Sequence, residues 1–415
     1  MRALFWSSAL FIAYVYAGYG LLLMIWARLR RRPAPAAVDA APGDTTLPTV
    51  SIVLAARNEA RRLPARIDNL LALDYPRDRV QIVVVSDGST DDTRAALEPF
   101  GPDVELIELP PSGKSAALNA GVARATGEIL VFADARQTFA EDALLALITR
   151  FQDATIGGVS GELILGAEQT AGRRALPDRR AGELEWRDHE RRATDRRGSS
   201  SIGDGVGFYW KYEKQLRRLE SEVGSMLGAT GAIYALRRAL WRPLPPGTIL
   251  DDVLAPMRAV LAGARVVFEP RACAFDVTSS NADAETRRKI RTLAGNVQIL
   301  WFEPRLLLPV LNPVWLQYMS HKIGRLLVPY ALMALFAASI VLASASHLYL
   351  FALAGQVAFY LHGGYGAWLD HWHRVAPRQR SLVQRTGTVA FTIVVMNVSA
   401  VAGVGAALLG RKVWR

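Results

Sequence analysis

Cysteine is almost missing from this chain. Cys273 is the only one in 415 residues, so no intramolecular disulfide can form. That fits a reducing compartment for the water-soluble part. Histidine is scarce, and His189, His362, His371 and His373 do not fall at a metal-ligand spacing. No zinc-finger spacing and no aromatic-basic RNA-binding signature is present, which argues against nucleic acid as a partner. The formal charge of +11 then points to an anionic membrane surface or a phosphorylated substrate. Gly113-Lys114-Ser115 lacks the upstream glycine of a P-loop. No internal repeat is visible.

Charge is also absent from long stretches. Residues 3–27 carry no charged side chain, enough for a helix across ~30 Å of hydrocarbon. Arg28, Arg30, Arg31 and Arg32 follow the run, as in an anchor whose carboxyl side is cytoplasmic and unlike a cleaved signal peptide. Three further apolar runs, 326–346, 348–369 and 387–410, predict C-terminal transmembrane helices within 326–415. The first two read as a hairpin. Arg374, Arg378, Arg380 and Arg385 suit a cytoplasmic loop after it. Arg411, Lys412 and Arg415 then fall on the outer side, so 387–410 is either a span with an exceptional tail or a re-entrant or interfacial segment. Residues 301–325, with Trp315, Tyr318, His321 and Lys322, read as an interfacial helix.

Between the apolar ends, residues 1–32 form the anchor, 33–47 a Pro- and Ala-rich linker, and 48–300 a cytoplasmic domain. Strand-like runs TVSIVLAA, QIVVVS, VELIEL, EILVFAD and GGVSGELIL alternate with helical patterns, which predicts an α/β domain with a parallel sheet covered on both faces. Residues 168–200 break the pattern with nine Arg and seven Asp or Glu, and read as a solvated insertion.

The acidic residues carry the functional signal. Asp87 and Asp134 close β-branched runs, and the pair Asp251-Asp252 follows another apolar segment. A carboxylate at the carboxyl end of a parallel strand lies on the rim where open α/β sheets bind ligands. Three such stations suit a nucleotide diphosphate, a cation and a base. Arg57-Asn58-Glu59 ends the first strand and can contact a base or ribose. Lys114 sits at a helix start, where it can neutralise a phosphate. Trp210, Lys211, Tyr212 and Glu213 form an aromatic and charged cluster that suits a sugar acceptor or an ordinary amphipathic helix.

Together these segments resemble the membrane-bound family 2 glycosyltransferases, the inverting group with cellulose, chitin, hyaluronan and poly-N-acetylglucosamine synthases. The resemblance covers about residues 48–300 and implies a Rossmann-like, nucleotide-sugar-binding GT-A domain. It implies nucleobase recognition by Asp87, a divalent cation (Mg2+ or Mn2+) held by Asp134, and a general base at Asp252 within the Asp251-Asp252 pair. Gly228-Ala229-Thr230-Gly231-Ala232-Ile233-Tyr234 is similar to the family's glycine-containing stretch near the acceptor. Two departures stand out. The family's Asp-x-Asp reads Asp134-Ala135-Arg136, so Arg136 either repels a metal or pairs with the diphosphate. The Gln-x-x-Arg-Trp motif of processive synthases retains only Arg291.

The resemblance implies transfer from a nucleotide sugar, usually a UDP-sugar, to a growing polysaccharide at the inner (plasma) membrane. Alternatives are single-sugar transfer to a lipid or lipid-linked acceptor, or a non-catalytic scaffold in an export complex. Export or synthase partner subunits are compatible with each.

Overall fold

The structure, a computed structural model, describes residues 1–30, 47–165, 201–276, 282–372 and 381–409. Arg31, Arg32, nearly all of the linker, the insertion 168–200 with His189, His373 with Arg374, Arg378 and Arg380, and the tail with Arg411, Lys412 and Arg415 lie outside the described residues.

Among the described residues, eight strands form one sheet: β1 Val50–Ala56, β2 Val80–Asp87, β3 Val104–Leu109, β4 Ile129–Asp134, β5 Thr138–Phe139, β6 Ile156–Leu165, β7 Ile233–Arg237 and β8 Arg265–Asp276. Their order is β3-β2-β1-β4-β7-β6-β8-β5. The helices are α1 Arg2–Leu29, α2 Leu63–Leu71, α3 Thr93–Leu97, α4 Lys114–Arg124, α5 Ala143–Thr149, α6 Ser201–Val223, α7 Asp251–Leu261, α8 Ala282–Phe302, α9 Trp315–Leu342, α10 His347–Trp372 and α11 Leu382–Leu408.

The predicted parallel sheet is found in β3-β2-β1-β4, where near-continuous Val and Ile runs are covered on both faces. Register places Ala55 beside Asp134 and Ala56 beside Ser86, so both strand-end acids reach one rim. The other half departs from that expectation. β7 starts at the rim, with Ile233 beside Ala133, and runs back antiparallel to β4. β6 is antiparallel to β7 but parallel to β8, and β5 is antiparallel to β8. The sheet is therefore mixed, because β7 enters from the turn after α6 rather than through a right-handed crossover from β4.

Alternation along β1 divides the core. Ile52 and Leu54 pack with Leu63, Ile67 and Leu147 on one face. Val53 packs with Leu118, Phe132, Tyr234 and Leu254 on the other. That second core continues through Ile299, Leu306 and Val314 to Tyr318, so the α/β domain and the start of α9 share one apolar interior.

Among the described residues, three helices, α1, α9 and α11, are long and apolar enough to cross a membrane. The expected boundary at residue 326 is not a helix boundary. The 301–325 segment divides into the end of α8, a turn at Pro304–Leu307, an apolar loop with Leu308, Val310 and Leu311 exposed, and the first turns of α9. Pro309 and Pro313 break the helical pattern there. The predicted 348–369 run is helical as α10, with Gln356 and His362 diluting its apolar character. α1 and α9 each contain a π-helical turn, Tyr14–Gly18 and Tyr318–Ile323, and these face one another: Tyr14 Oη and Ser320 Oγ are 2.7 Å apart. α11 lies tightly on α8, where a Cβ on Gly403 would meet Leu293 Cβ at 2.8 Å.

Candidate active site

The rim loops are tied together by their own polar side chains. Asp87, buried at the end of β2, accepts the backbone N–H of Ser112 at 2.6 Å and of Gly113 at 2.9 Å on Oδ1. Its Oδ2 accepts a further branch from Gly113 at 3.0 Å. The carboxylate thus fixes the loop that leads into α4 and sets the position of Lys114. Asn58 adopts a left-handed backbone, with φ 55°, and its Oδ1 accepts the N–H of Thr90 at 2.8 Å. Its own N–H donates to Ser89 Oγ at 3.1 Å. Asn58 therefore joins the loops after β1 and β2. Glu59 is ion-paired with Arg62 at 2.6 Å, and Arg57 is exposed.

Lys114 is the centre of the site. Its Nζ lies 3.3 Å from Asp134 Oδ1 and 3.4 Å from Asp251 Oδ1. Burial alone would lower its pKa, but the charges of Asp251, Asp134 and Asp252 outweigh that and hold the ammonium above its ordinary value. Asp251 and Asp252 occupy the first turn of α7, whose positive end favours carboxylates. Asp251 is buried and Asp252 half-buried. Burial, then the charge of Asp251, push the Asp252 carboxyl up to about 6, against the opposing pull of Lys114, Lys322 and Arg217. The Asp252 carboxylate rests on Gly231, where an added Cβ would meet Oδ2 at 2.8 Å.

Arg136 points elsewhere. Its guanidinium pairs with the buried Asp276 Oδ2 at 2.7 Å, and Gln137 Nε2 donates to the same oxygen at 3.1 Å. Arg291 is exposed on α8 and makes none of the contacts of the acid cluster. Glu213, from the expected aromatic cluster, is buried in an ionic network instead: Arg325 reaches it at 2.5 Å and His321 at 3.2 Å. Lys114 with Asp134, Asp251 and Asp252 are thus brought together, while Arg57, Glu59, Arg136 and Arg291 are not part of that cluster.

Two groups escape sequence reasoning. Arg66 is buried on α2, with its Cζ 4.0 Å from the centre of the Phe139 ring and its NH1 2.5 Å from Asn69 Oδ1. Its Nε and NH2 have no hydrogen-bond partner among the described residues. Burial lowers its pKa to about 9, with the charge of Asp134 opposing. The available signal was its helical spacing, since Leu63, Ile67 and Leu70 share its buried face. Tyr234 is buried, stacks on Phe132 at 4.6 Å, and its hydroxyl also lacks a partner among the described residues. Burial, then Asp251, Asp252 and Asp134, raise its pKa.

No group of three or more His, Cys, Asp or Glu side chains that could hold a metal ion is found among the described residues. Asp134 is a single, half-exposed carboxylate on the rim. That donor set fits Mg2+ better than a cation needing an all-protein cage, because Mg2+ takes one or two carboxylates and fills its sphere from phosphate oxygens and water.

A mixed sheet with strand-end acids and a helix-borne acid pair has the architecture of the GT-A fold. Residues 51–218 match the model of glycosyl transferase family 2. It is 30% identical over 265 residues to the poly-beta-1,6-N-acetyl-D-glucosamine synthase of Staphylococcus epidermidis, covering 60% of this chain and 55% of that protein. It is 32% identical over 120 residues to the beta-monoglucosyldiacylglycerol synthase of Nostoc sp., covering 28% of this chain and 26% of that protein. The chain thus spans from about a quarter to just over half of these two relatives. A solved structure, the mannosyltransferase PcManGT from Pyrobaculum calidifontis in complex with GDP-Man and Mn2+, shares the fold: TM-score 0.65 over 99% of this chain and 100% of that one, at 23% identity.

Proposed function

We propose that the chain is an inverting glycosyltransferase moving a sugar from a nucleotide sugar, a UDP-sugar by the family resemblance, to a hydroxyl delivered at the membrane. The observation that carries this reading is the position of Lys114, within 3.4 Å of both Asp134 and Asp251, so that one cation joins the donor end of the cleft to the acid pair. Asp252, next in the chain, acts as the general base. Its carboxylate takes the proton of the acceptor hydroxyl as that oxygen bonds to the anomeric carbon. The bond from that carbon to the diphosphate breaks on the opposite face, and the nucleoside diphosphate departs. Lys114 supplies fixed positive charge where the leaving group becomes more anionic. Asp251, buried and paired with Lys114, orients it.

Asp134 would hold a divalent cation, which when bound adds charge neutralisation at the diphosphate. Asp87 fixes the Lys114 loop and lies beside the base-binding end.

The nucleotide-sugar domain belongs in the cytoplasm, with α1, α9 and α11 as spans; Arg28 after the first apolar run supports this orientation. A polysaccharide product is supported by the longer match to the staphylococcal synthase, and a single-sugar lipid product by the cyanobacterial relative and the missing Gln and Trp of the processive motif. Purified full-length chain should release free nucleotide from one member of a donor panel when membranes are supplied. No release from any donor would leave the scaffold reading in its place. Sizing of the labelled product separates a polymer ladder from one added sugar.

A further inference from the structure

We infer that Arg217 is a positioning residue for the base: it pins the turn on which Asp252 rests, and Glu213 ties it to the early turns of α9, so that a helix apolar enough to span the bilayer governs the transfer step. This rests on Asp252 being the base of the proposed transfer.

The turn 228–231 holds Asp252 from two sides. Ala229 N–H donates to the Asp252 backbone carbonyl at 2.7 Å. Gly231 faces the carboxylate, with Oδ2 2.8 Å from where a Cβ would stand. Thr230 lies between them, buried, and each of its polar groups is engaged. Its N–H donates to Ser160 Oγ at 2.9 Å, its carbonyl accepts Ile233 N–H at 3.1 Å, and its hydroxyl accepts Arg217 NH1 at 2.9 Å. The first two bonds belong to the sheet, through β6 and the entry to β7. The third comes from α6, outside the sheet. Gly231 offers the base no side chain, so the place of the Asp252 carboxylate follows the backbone of this turn. Productive geometry tolerates shifts of only about 0.5 Å.

Arg217 is itself held by an ion pair. Its Nε lies 3.6 Å from Oε1 of Glu213, one helical turn earlier. Glu213 is buried, and its Oε2 accepts Arg325 NH1 from α9. His321, also from α9, places Nε2 at 3.2 Å from Glu213 and Nδ1 at 2.7 Å from Glu220 Oε1. The same Glu220 oxygen accepts the Tyr19 hydroxyl of α1 at 2.7 Å. Leu23, Leu216, Leu219 and Val223 pack with Tyr19 in one apolar cluster on the α1–α6 side. Polar groups in such surroundings are costly to leave unpaired, which makes the joint stiff.

Two spans, α1 and α9, thus meet α6 at one buried polar joint, and Arg217 is the arm that leaves it towards the base. The donor side has separate supports: Lys114 is held by Asp134 and Asp251, and its loop by Asp87. Disturbing the joint should therefore reach the chemical step and spare the nucleotide. A tether serving stability alone predicts a lower Tm with kcat unchanged in the folded fraction.

The test uses detergent-purified full-length chain. Arg217→Met and Thr230→Val cut the same bond from its two ends. Each should lower kcat about tenfold, with calorimetric affinity for the nucleoside diphosphate unchanged. The double variant should be no slower than the slower single one, and Arg217→Lys should recover most of kcat. Hydrogen exchange gives a readout that needs no turnover. A peptide covering 226–233 should exchange faster in Arg217→Met, Thr230→Val and Glu213→Gln, while one covering 112–119 stays as in the parent. Thr230→Val, which changes only a hydroxyl to a methyl, keeps the test readable if Glu213→Gln does not fold. Unchanged kcat in both single variants, additive losses in the double variant, or nucleotide affinity falling as far as kcat each overturns the positioning role. If exchange at 226–233 responds but the parent chain turns over no donor, the transferase reading fails and the mechanical link to α9 stands.

Discussion

Gly231 leaves the space that the carboxylate of Asp252 fills: a Cβ on Gly231 would meet Oδ2 at 2.8 Å, too close for a methyl. Gly231→Ala should therefore turn the base aside without touching the donor end. The expected result is a fall in kcat on the order of 10–100-fold with nucleotide affinity retained. Equal kcat in the variant would show that Asp252 does not need its present orientation.

Asp252→Asn should abolish transfer, with a loss on the order of 10²-fold or more, while the nucleoside diphosphate still binds. Asp251→Asn should instead weaken donor binding, since it releases Lys114. If Asp251→Asn is the dead variant and Asp252→Asn turns over, the two roles are exchanged.

The pH profile follows from the same carboxyl. Its folded pKa is raised to about 6, so the base is protonated and inactive below that value and ionised above it. The ratio kcat/KM should fall roughly tenfold per pH unit below about 6 and be flat towards pH 8 on this limb. Lys114→Met removes a charge that favours ionisation and should move the limb to higher pH. An acidic limb near pH 4 would mean that the titrating group is not Asp252.

Arg136 tests the altered cation motif. Because it pairs with buried Asp276, Arg136→Ala should cost about 1–3 kcal/mol of stability, read as a lower Tm, by leaving that carboxylate with Gln137 alone. Donor affinity should change little, and EDTA should still stop turnover if Asp134 holds the cation. Full activity in EDTA together with collapse of donor binding in Arg136→Ala would make Arg136 the group that neutralises the diphosphate.

Arg66→Met removes a buried charge with two unpartnered nitrogens and keeps the apolar contact with Phe139. Stability should be nearly unchanged, because the lost interaction is offset by relief of desolvation. Donor binding should weaken if its charge supports the strand end at Asp134. Chemical denaturation and nucleotide titration on the same preparations separate the two effects.

The placement of two candidate acids was readable in the chain because parallel strands announce themselves locally. IVVVSD and ILVFAD are β-branched or aliphatic runs with a terminal acid, and both acids reach the rim. The antiparallel half was not readable: the partner of β4 is β7, a hundred residues further on, and no short-range pattern encodes that pairing. A separation of 140 residues likewise hid Asp276 as the partner of Arg136. Arg66 was missed because an arginine in a helix reads as solvated unless its spacing is weighed against the apolar face. Asp87 was placed correctly on the rim, but its grip on Ser112 and Gly113 depends on a loop whose shape the sequence does not spell out.

The shared interior that runs from Phe132 and Leu254 through Ile299 and Val314 to Tyr318 has a consequence for how the protein is made. During synthesis β1 to β4 emerge first and can pair among themselves, so Asp87, Lys114 and Asp134 can be set while the ribosome is still producing α6. α7, with the acid pair, finds its full packing only when α8 and the start of α9 have followed. A nascent chain stalled before Trp315 should therefore hold Asp87, Lys114 and Asp134 in place while α7 still lacks the packing that Val314 and Tyr318 complete.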